Sequence, residues 1–227
     1  MNKTGIEWCD YSLNPFSGCS PVSEGCENCY AAAISKRFHR PWGGPVFHPE
    51  RMKVKPPKGK RVFVGSVTDM FHEAFDADET LWTQRQALFA FLAEHTETTW
   101  ILLTKRAERM RQTINDAVPP HIWLGVTVEN QRRADERIPI LLDIPAKVRF
   151  ASVEPMLSPM SIFREKSNPL ASDEPWPLSW VICGPETGPK ARPCEPAWIE
   201  NLANQCAAVG VPFFDKRKNP IRREWPT

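Results

Sequence analysis

The sequence predicts an α/β protein built on a parallel sheet, either doubly wound or curled into a partial or complete parallel (β/α) barrel, behind an N-terminal three-cysteine loop. Three observations predict it. Short apolar runs recur along the chain, amphipathic helical patterns lie between several of them, and chemically mixed polar residues stand just beyond the runs.

The elements follow in order. The segment around residues 8 to 17 is a candidate first strand. Then come Arg61-Val-Phe-Val-Gly, Thr99-Trp-Ile-Leu-Leu-Thr, Ile122-Trp-Leu-Gly-Val-Thr-Val, Val148-Arg-Phe-Ala-Ser-Val, Trp180-Val-Ile-Cys-Gly and Val211-Pro-Phe-Phe. Each is apolar on both faces, as a buried parallel strand must be. Helical patterns cover Glu79 to His95, Ala107 to Asp116, Arg132 to Leu142 and Pro196 to Val209. In the first of these Leu81, Leu88, Phe91 and Leu92 share one face. Alternation of strand and helix gives right-handed βαβ units, so all strands end at one rim. Most of the 23 prolines fall between these elements and mark loops.

The residues beyond the strands are the second clue. The first strand of the alternating series leads to Ser66, Thr68, Asp69 and His72, and the next to Thr104, Lys105 and Arg106. Thr127, Glu129 and Asn130 follow, then Ser152 and Glu154, then Cys183 and Glu186, then Asp215, Lys216 and Arg217. In parallel α/β folds ligands bind at the carboxyl ends of the strands, and this rim is the expected site.

The 227 residues suffice for one domain, 1 to 227, with a real core. Hydrophobic residues at 41 % and charged residues at 25 % are ordinary globular usage, which excludes fibrous and disordered classes. No apolar stretch approaches a membrane span and Met1 to Glu7 lack a signal's apolar run, so a cytoplasmic protein is expected. The net charge of +2 hides two basic runs, Lys53 to Arg61 and Lys216 to Arg223.

Thiols in a reducing compartment point to metal ligation or burial before disulfides. Three of the seven cysteines, Cys19, Cys26 and Cys29, lie within eleven residues. Cys26 and Cys29 form a C-x-x-C pair after Gly25, and Cys19 adds a third sulfur. A structural zinc site needs a fourth ligand; Cys9, His39, His48, Cys183, Cys194 and Cys206 are candidates that spacing does not single out. Three thiolates with one position open suit a [4Fe-4S] cluster whose free iron binds a small molecule. A thioredoxin-like redox pair would leave Cys19 without a purpose.

A three-cysteine loop ahead of a chain of βα units resembles the radical S-adenosylmethionine superfamily. It is similar, more closely, to phage-borne three-cysteine proteins distantly similar to spore photoproduct lyase. The closer resemblance is carried by Asn14-Pro-Phe-Ser-Gly-Cys19, Cys26-Glu-Asn-Cys29-Tyr30-Ala, Val64-Gly-Ser-Val-Thr-Asp-Met-Phe-His72, Leu103-Thr-Lys-Arg106, Trp123-Leu-Gly-Val-Thr-Val-Glu-Asn130, Ser152-Val-Glu-Pro155 and Trp180-Val-Ile-Cys-Gly-Pro-Glu-Thr-Gly188. The chain departs from the superfamily in spacing its cysteines C-x6-C-x2-C rather than C-x3-C-x2-C. Asn28 also replaces the aromatic residue that commonly precedes the last cysteine, so the contact to adenine is lost or passes to Tyr30.

The resemblance implies a barrel in which Cys19, Cys26 and Cys29 hold a [4Fe-4S] cluster. S-adenosyl-L-methionine would bind the open iron, and reduction by a flavodoxin or ferredoxin would yield a 5′-deoxyadenosyl radical. Ser66, Lys105 and Thr127 match the residues that hold the methionine part. Asp69 and Glu129 are further candidates to bind the cofactor, and Glu154, Glu186 and Lys216 are left for catalysis or substrate. The basic runs and nearby aromatics suggest a nucleotide or DNA base as substrate, and the phage-type resemblance suggests a host cytoplasm. The competing expectation is a zinc-stabilised, non-catalytic nucleic-acid-binding protein.

Overall fold

A computed structural model describes residues 1–162 and 176–226. The chain opens with β1 (Asn2–Lys3), β2 (Tyr11–Leu13) and β3 (Phe16–Ser17), then α1 (Tyr30–Arg37) and β4 (Val46–Phe47). The alternating part follows: β5 (Arg61–Val64), α2 (Ala74–Ala77), α3 (Glu79–Glu94), β6 (Thr99–Thr104), α4 (Ala107–Thr113) and β7 (Ile122–Thr127). It continues with α5 (Gln131–Leu142), β8 (Arg149–Val153), β9 (Trp180–Cys183), α6 (Pro196–Ala208) and β10 (Phe213–Asp215). The expected strands and helices are therefore present, with the candidate strand at 8 to 17 divided between β2 and β3, while β1, α1, α2 and the small antiparallel β3–β4 pair were not anticipated. Helices start where side chains can close their first turn: Asp78 accepts from Leu81 N at 2.9 Å for α3, and Asn130 from Arg133 N at 3.0 Å for α5.

Eight strands form one sheet in the order β1-β2-β5-β6-β7-β8-β9-β10, parallel except for the β1–β2 pair. Among the described residues β1 and β10 are not paired with each other, so the sheet is open and the expectation of a complete barrel is not met. The order of β5 to β10 never reverses, unlike a doubly wound sheet with its switch point. Alternate residues along each strand face two separate clusters. Val62, Leu102, Val126, Val153, Val181 and Phe213 pack with α3, α4, α5 and α6 through Leu88, Met110, Ile138 and Leu202. Phe63, Ile101, Phe150, Trp180, Ile182 and Phe214 face the other way, where Trp8 and Trp225 cover them.

The sheet is curled around that second, aromatic cluster. The Trp8 ring lies 4.8 Å from Phe63 on β5 and 6.3 Å from Trp180 on β9. In a flat sheet those two strands would stand ~19 Å apart, so one indole reaches both only across a concave face. Trp225 closes the same gap, 5.1 Å from Phe214 on β10 and under the Arg61 guanidinium of β5 at 4.5 Å. Gly125 makes room inside: a Cβ there would meet the Phe150 ring at 2.3 Å. Among the described residues no helix is long and apolar enough to cross a membrane.

Candidate functional site

The curl turns the carboxyl ends of β5 to β10 toward one mouth, and the loop of residues 19–29 lies against them. Arginines from three segments of the rim hold that loop. Arg106, after β6, donates to Ser20 O at 3.0 Å and Ser20 Oγ at 2.9 Å, and its Nη1 lies 3.6 Å from Cys19 Sγ. Arg133, in the first turn of α5, donates to Glu24 at 2.9 Å. Arg192, after β9, donates to Glu24 O at 2.9 Å and to Glu27 at 3.1 Å.

Carboxylates on the rim complete the latch. Glu129 is fully buried; it accepts from Ser23 Oγ at 2.6 Å and from Arg137 at 2.9 Å, and Lys105 Nζ stands 4.0 Å away. Gly25 presses on it so closely that a Cβ would sit 2.4 Å from Glu129 Oε1. Glu186 accepts from Arg192 at 2.6 Å and from Asn28 at 3.0 Å. Asp69 accepts from Thr104 Oγ1 at 2.7 Å, Phe71 N at 3.0 Å, Lys105 N at 3.2 Å and Arg106 at 3.3 Å. The structure thus gives Asp69, Glu129 and Glu186 partners within the protein, where the sequence suggested roles toward a ligand.

The other expected residues stay at the mouth. Ser66 Oγ lies 2.9 Å from Asn14 Nδ2, and the Tyr30 hydroxyl donates to Ser66 O. Lys105, Thr127, Ser152, Glu154 and Lys216 occupy the concave side by register, because Thr104, Val126, Val153 and Asp215 beside them face the helices. Lys216 pairs with Glu154. Burial pushes its amine down to about 8 from 10.5, against the raising charges of Glu7 and Cys9. His72, 4 % exposed, accepts from Ala74 N at 3.1 Å through Nδ1, so Nε2 carries the hydrogen facing Ser20 Oγ at 2.8 Å. Burial, then the charge of Arg106, lowers its pKa and keeps it neutral.

The thiols themselves are reduced. Cys29 N donates to Cys26 O at 3.3 Å, which brings this pair into one turn, and Cys26 Sγ lies 3.9 Å from Ser23 Oγ. Burial, with Asp69 adding to it, pushes the Cys19 thiol up, and Arg106 partly offsets this. Among the described residues no three His, Cys, Asp or Glu side chains are gathered as a metal ion would require. The donors themselves, three sulfurs on one loop, are of the soft type that iron–sulfur clusters and zinc both take.

The arginine latch makes the loop sensitive to acid. Glu186 and Glu24 are held down to about 2 from 4.5, first by hydrogen bonds from Arg192 and Arg133 respectively. Depressed carboxylates stabilise the fold above their unfolded pKa and lose that contribution as pH falls toward the folded one. Urea titrations should therefore show stability falling by on the order of 3 kcal/mol between pH 5 and pH 2. Arg192→Ala should flatten part of that fall; an unchanged slope would remove Glu186 from the latch.

Sequence reading missed Arg133 and Arg192 as site residues. Arg133 meets Glu24 across 109 positions, which no local pattern signals. Arg192 sits only six positions from Glu186, a spacing that could have flagged the pair. No curated protein and no solved structure matches the chain. Its residues 3–222 match the family model described as Protein of unknown function (DUF5131), and the chain belongs to that family.

Proposed function

We propose that this chain is a radical S-adenosylmethionine-type enzyme on a partial (β/α) barrel, with Cys19, Cys26 and Cys29 holding a [4Fe-4S] cluster at the mouth. The observation that carries the reading is the latch: Arg106, Arg133, Arg192 and Glu129 tie a three-thiol loop to the strand ends of a curled parallel sheet. When bound, the cluster would supply an open iron for the amino and carboxylate groups of S-adenosylmethionine and the electron that splits a carbon–sulfur bond.

The chain's own residues would do the rest. The Lys105 ammonium offers a charge for the cofactor's carboxylate, and Ser66 and Thr127 offer hydroxyls. The Tyr30 ring, over the rim at Ser66, supplies a surface for adenine. Asp69 and Glu129 act indirectly, by fixing Arg106, Ser23 and the position of Lys105. Glu154 and Lys216, paired at the concave mouth, would face a substrate. Trp8, Trp180 and Phe214 seal the concave face and keep water from reaching the reacting atoms from below. The electron donor would be a small flavodoxin or ferredoxin, and the compartment a reducing cytoplasm, that of the host if the chain is phage-encoded.

Anaerobic reconstitution tests this. The wild type should hold about four irons and four sulfides per chain with a brown visible spectrum, and should cleave S-adenosylmethionine once reduced. Replacing Cys19, Cys26 and Cys29 together by Ala should abolish the iron while leaving the circular dichroism intact. A colourless wild type holding one zinc would overturn the proposal and favour a zinc-stabilised binding protein.

A further inference from the structure

Several members of the two basic runs of the sequence are paired within the protein. In the second, Arg217 pairs with Asp215 at 2.9 Å, Arg223 with Glu7 at 2.9 Å and Lys216 with Glu154. In the first, Lys58 pairs with Glu97 at 2.6 Å and Arg61 lies 3.5 Å from Asp10. Lys53, Lys55, Lys60 and Lys218 stay exposed, and a second open positive surface lies around α1. Residues 30 to 48 contain Lys36, Arg37 and Arg40 and no Asp or Glu. All three are exposed, and among the described residues none of them has a carboxylate partner.

The same helix carries a stripe of unburied rings and apolar side chains. Tyr30, Ile34 and Phe38 follow one another at intervals of four along α1 and its carboxyl end, and are 53 %, 39 % and 56 % exposed. The guanidinium carbons of Arg37 and Arg40 lie 5.6 and 5.3 Å from the Phe38 ring centroid. Each is thereby held over the aromatic side chain with N–H groups left for another partner. The stripe is about 12 Å long, and its first residue, Tyr30, is tied to Ser66 at the rim.

We propose that this face of α1 binds single-stranded nucleic acid and leads it to the mouth. Phosphates match the guanidiniums of Arg37 and Arg40 beside the stripe, and a base face matches the Phe38 ring and the guanidiniums held over it. An acidic protein would also answer the charge, since arginine and aromatic residues serve protein interfaces as well; guanidiniums already held over an aromatic ring favour a strand that offers phosphates and base faces together. What the strand does at the mouth rests on the function proposed above; its binding to α1 does not.

Fluorescence anisotropy of a labelled 20-nucleotide single strand, with its duplex as comparison, tests the proposal on the full chain. Two phosphate contacts imply a loss of roughly sevenfold in affinity from 50 to 200 mM salt. Phe38→Ala should weaken binding about tenfold, and the double change Arg37→Glu, Arg40→Glu should abolish it, with melting temperature unchanged. The variant lacking the three cysteines should bind as the wild type does, so failure of the cluster assignment and failure of this one are read separately. Absence of wild-type binding at 50 mM salt, or binding indifferent to both variants, would overturn the assignment. So would charge reversal that spared strand binding and instead blocked reduction by a flavodoxin, or Phe38→Ala that turned a dimer into a monomer.

Discussion

Glu129→Ala is expected to destabilise the chain by about 3–5 kcal/mol and to free the cysteine loop from the rim. Glu129 is fully buried and Arg137, its partner at 2.9 Å, is 5 % exposed. Removing one member of such a pair leaves the other as an uncompensated buried charge, and that desolvation cost dominates over the loss of the contact itself. The neighbouring groups multiply the effect. Ser23 Oγ would lose its acceptor, Lys105 its nearest carboxylate, and the backbone at Gly25 the side chain on which it rests. Glu129→Gln separates the contributions, because its amide oxygen can accept from Arg137 while its NH2 donates to the Ser23 hydroxyl, and the group carries no charge. Urea melts should rank wild type, Gln and Ala in that order, and limited proteolysis should cut between residues 19 and 29 only in the Ala variant. An Ala variant within 1 kcal/mol of wild type would mean that Arg137 is satisfied by Thr127 O, 2.6 Å away, and that the latch rests on the other arginines.

The place of Glu129 at the rim was readable from sequence, and its partner was not. Strand and helix positions were legible because each run is long and strongly patterned: Thr99–Thr104 and Ile122–Thr127 are apolar on both faces, and α5 and α6 repeat at helical spacing. What the pattern could not decide was which way the sheet wraps. Residues apolar on both faces fit helices on both sides equally well, and only the packing of Trp8 and Trp225 shows that the second face is covered by aromatic side chains from the two ends of the chain. The antiparallel pairing of Phe16–Ser17 with Val46–Phe47 was beyond sequence reading for a different reason, since two-residue strands have no period and α1 lies between them. At the rim, position at a strand end identified polar residues correctly but not their partners. Glu129 and Arg137 are eight positions apart and Asp69 and Arg106 thirty-seven, so burial and charge pairing are decided by folding rather than by local composition.

The concave aromatic face makes the second large prediction. Trp180→Ala should destabilise by about 3–5 kcal/mol, and more of that loss should appear as opening of the curl than a substitution on the helix side would cause. The Trp180 ring, fully buried, stands 5.5 Å from Phe150, 6.0 Å from Trp123, and 6.3 Å from both Trp8 and Phe214. Its Nε1 also donates to Glu224 O at 2.8 Å, which ties down the C-terminal segment. Ala at this position leaves a cavity walled by four rings that cannot collapse together, because each belongs to a different strand or to a chain end. Trp180→Phe keeps much of the contact and loses the bond to Glu224, so it should cost about 1–2 kcal/mol. Trp82, 47 % exposed on α3, serves as the control, and its replacement by Ala should change stability by no more than about 0.5 kcal/mol. Hydrogen exchange can then locate the loss. If the sheet is curled by the aromatic cluster, amides of the flanking segments 6–9 and 222–226 should lose protection in Trp180→Ala before those of α5 and α6. Uniform loss across the chain would mean instead that the helical face alone sets the curvature and that the aromatic residues merely fill it.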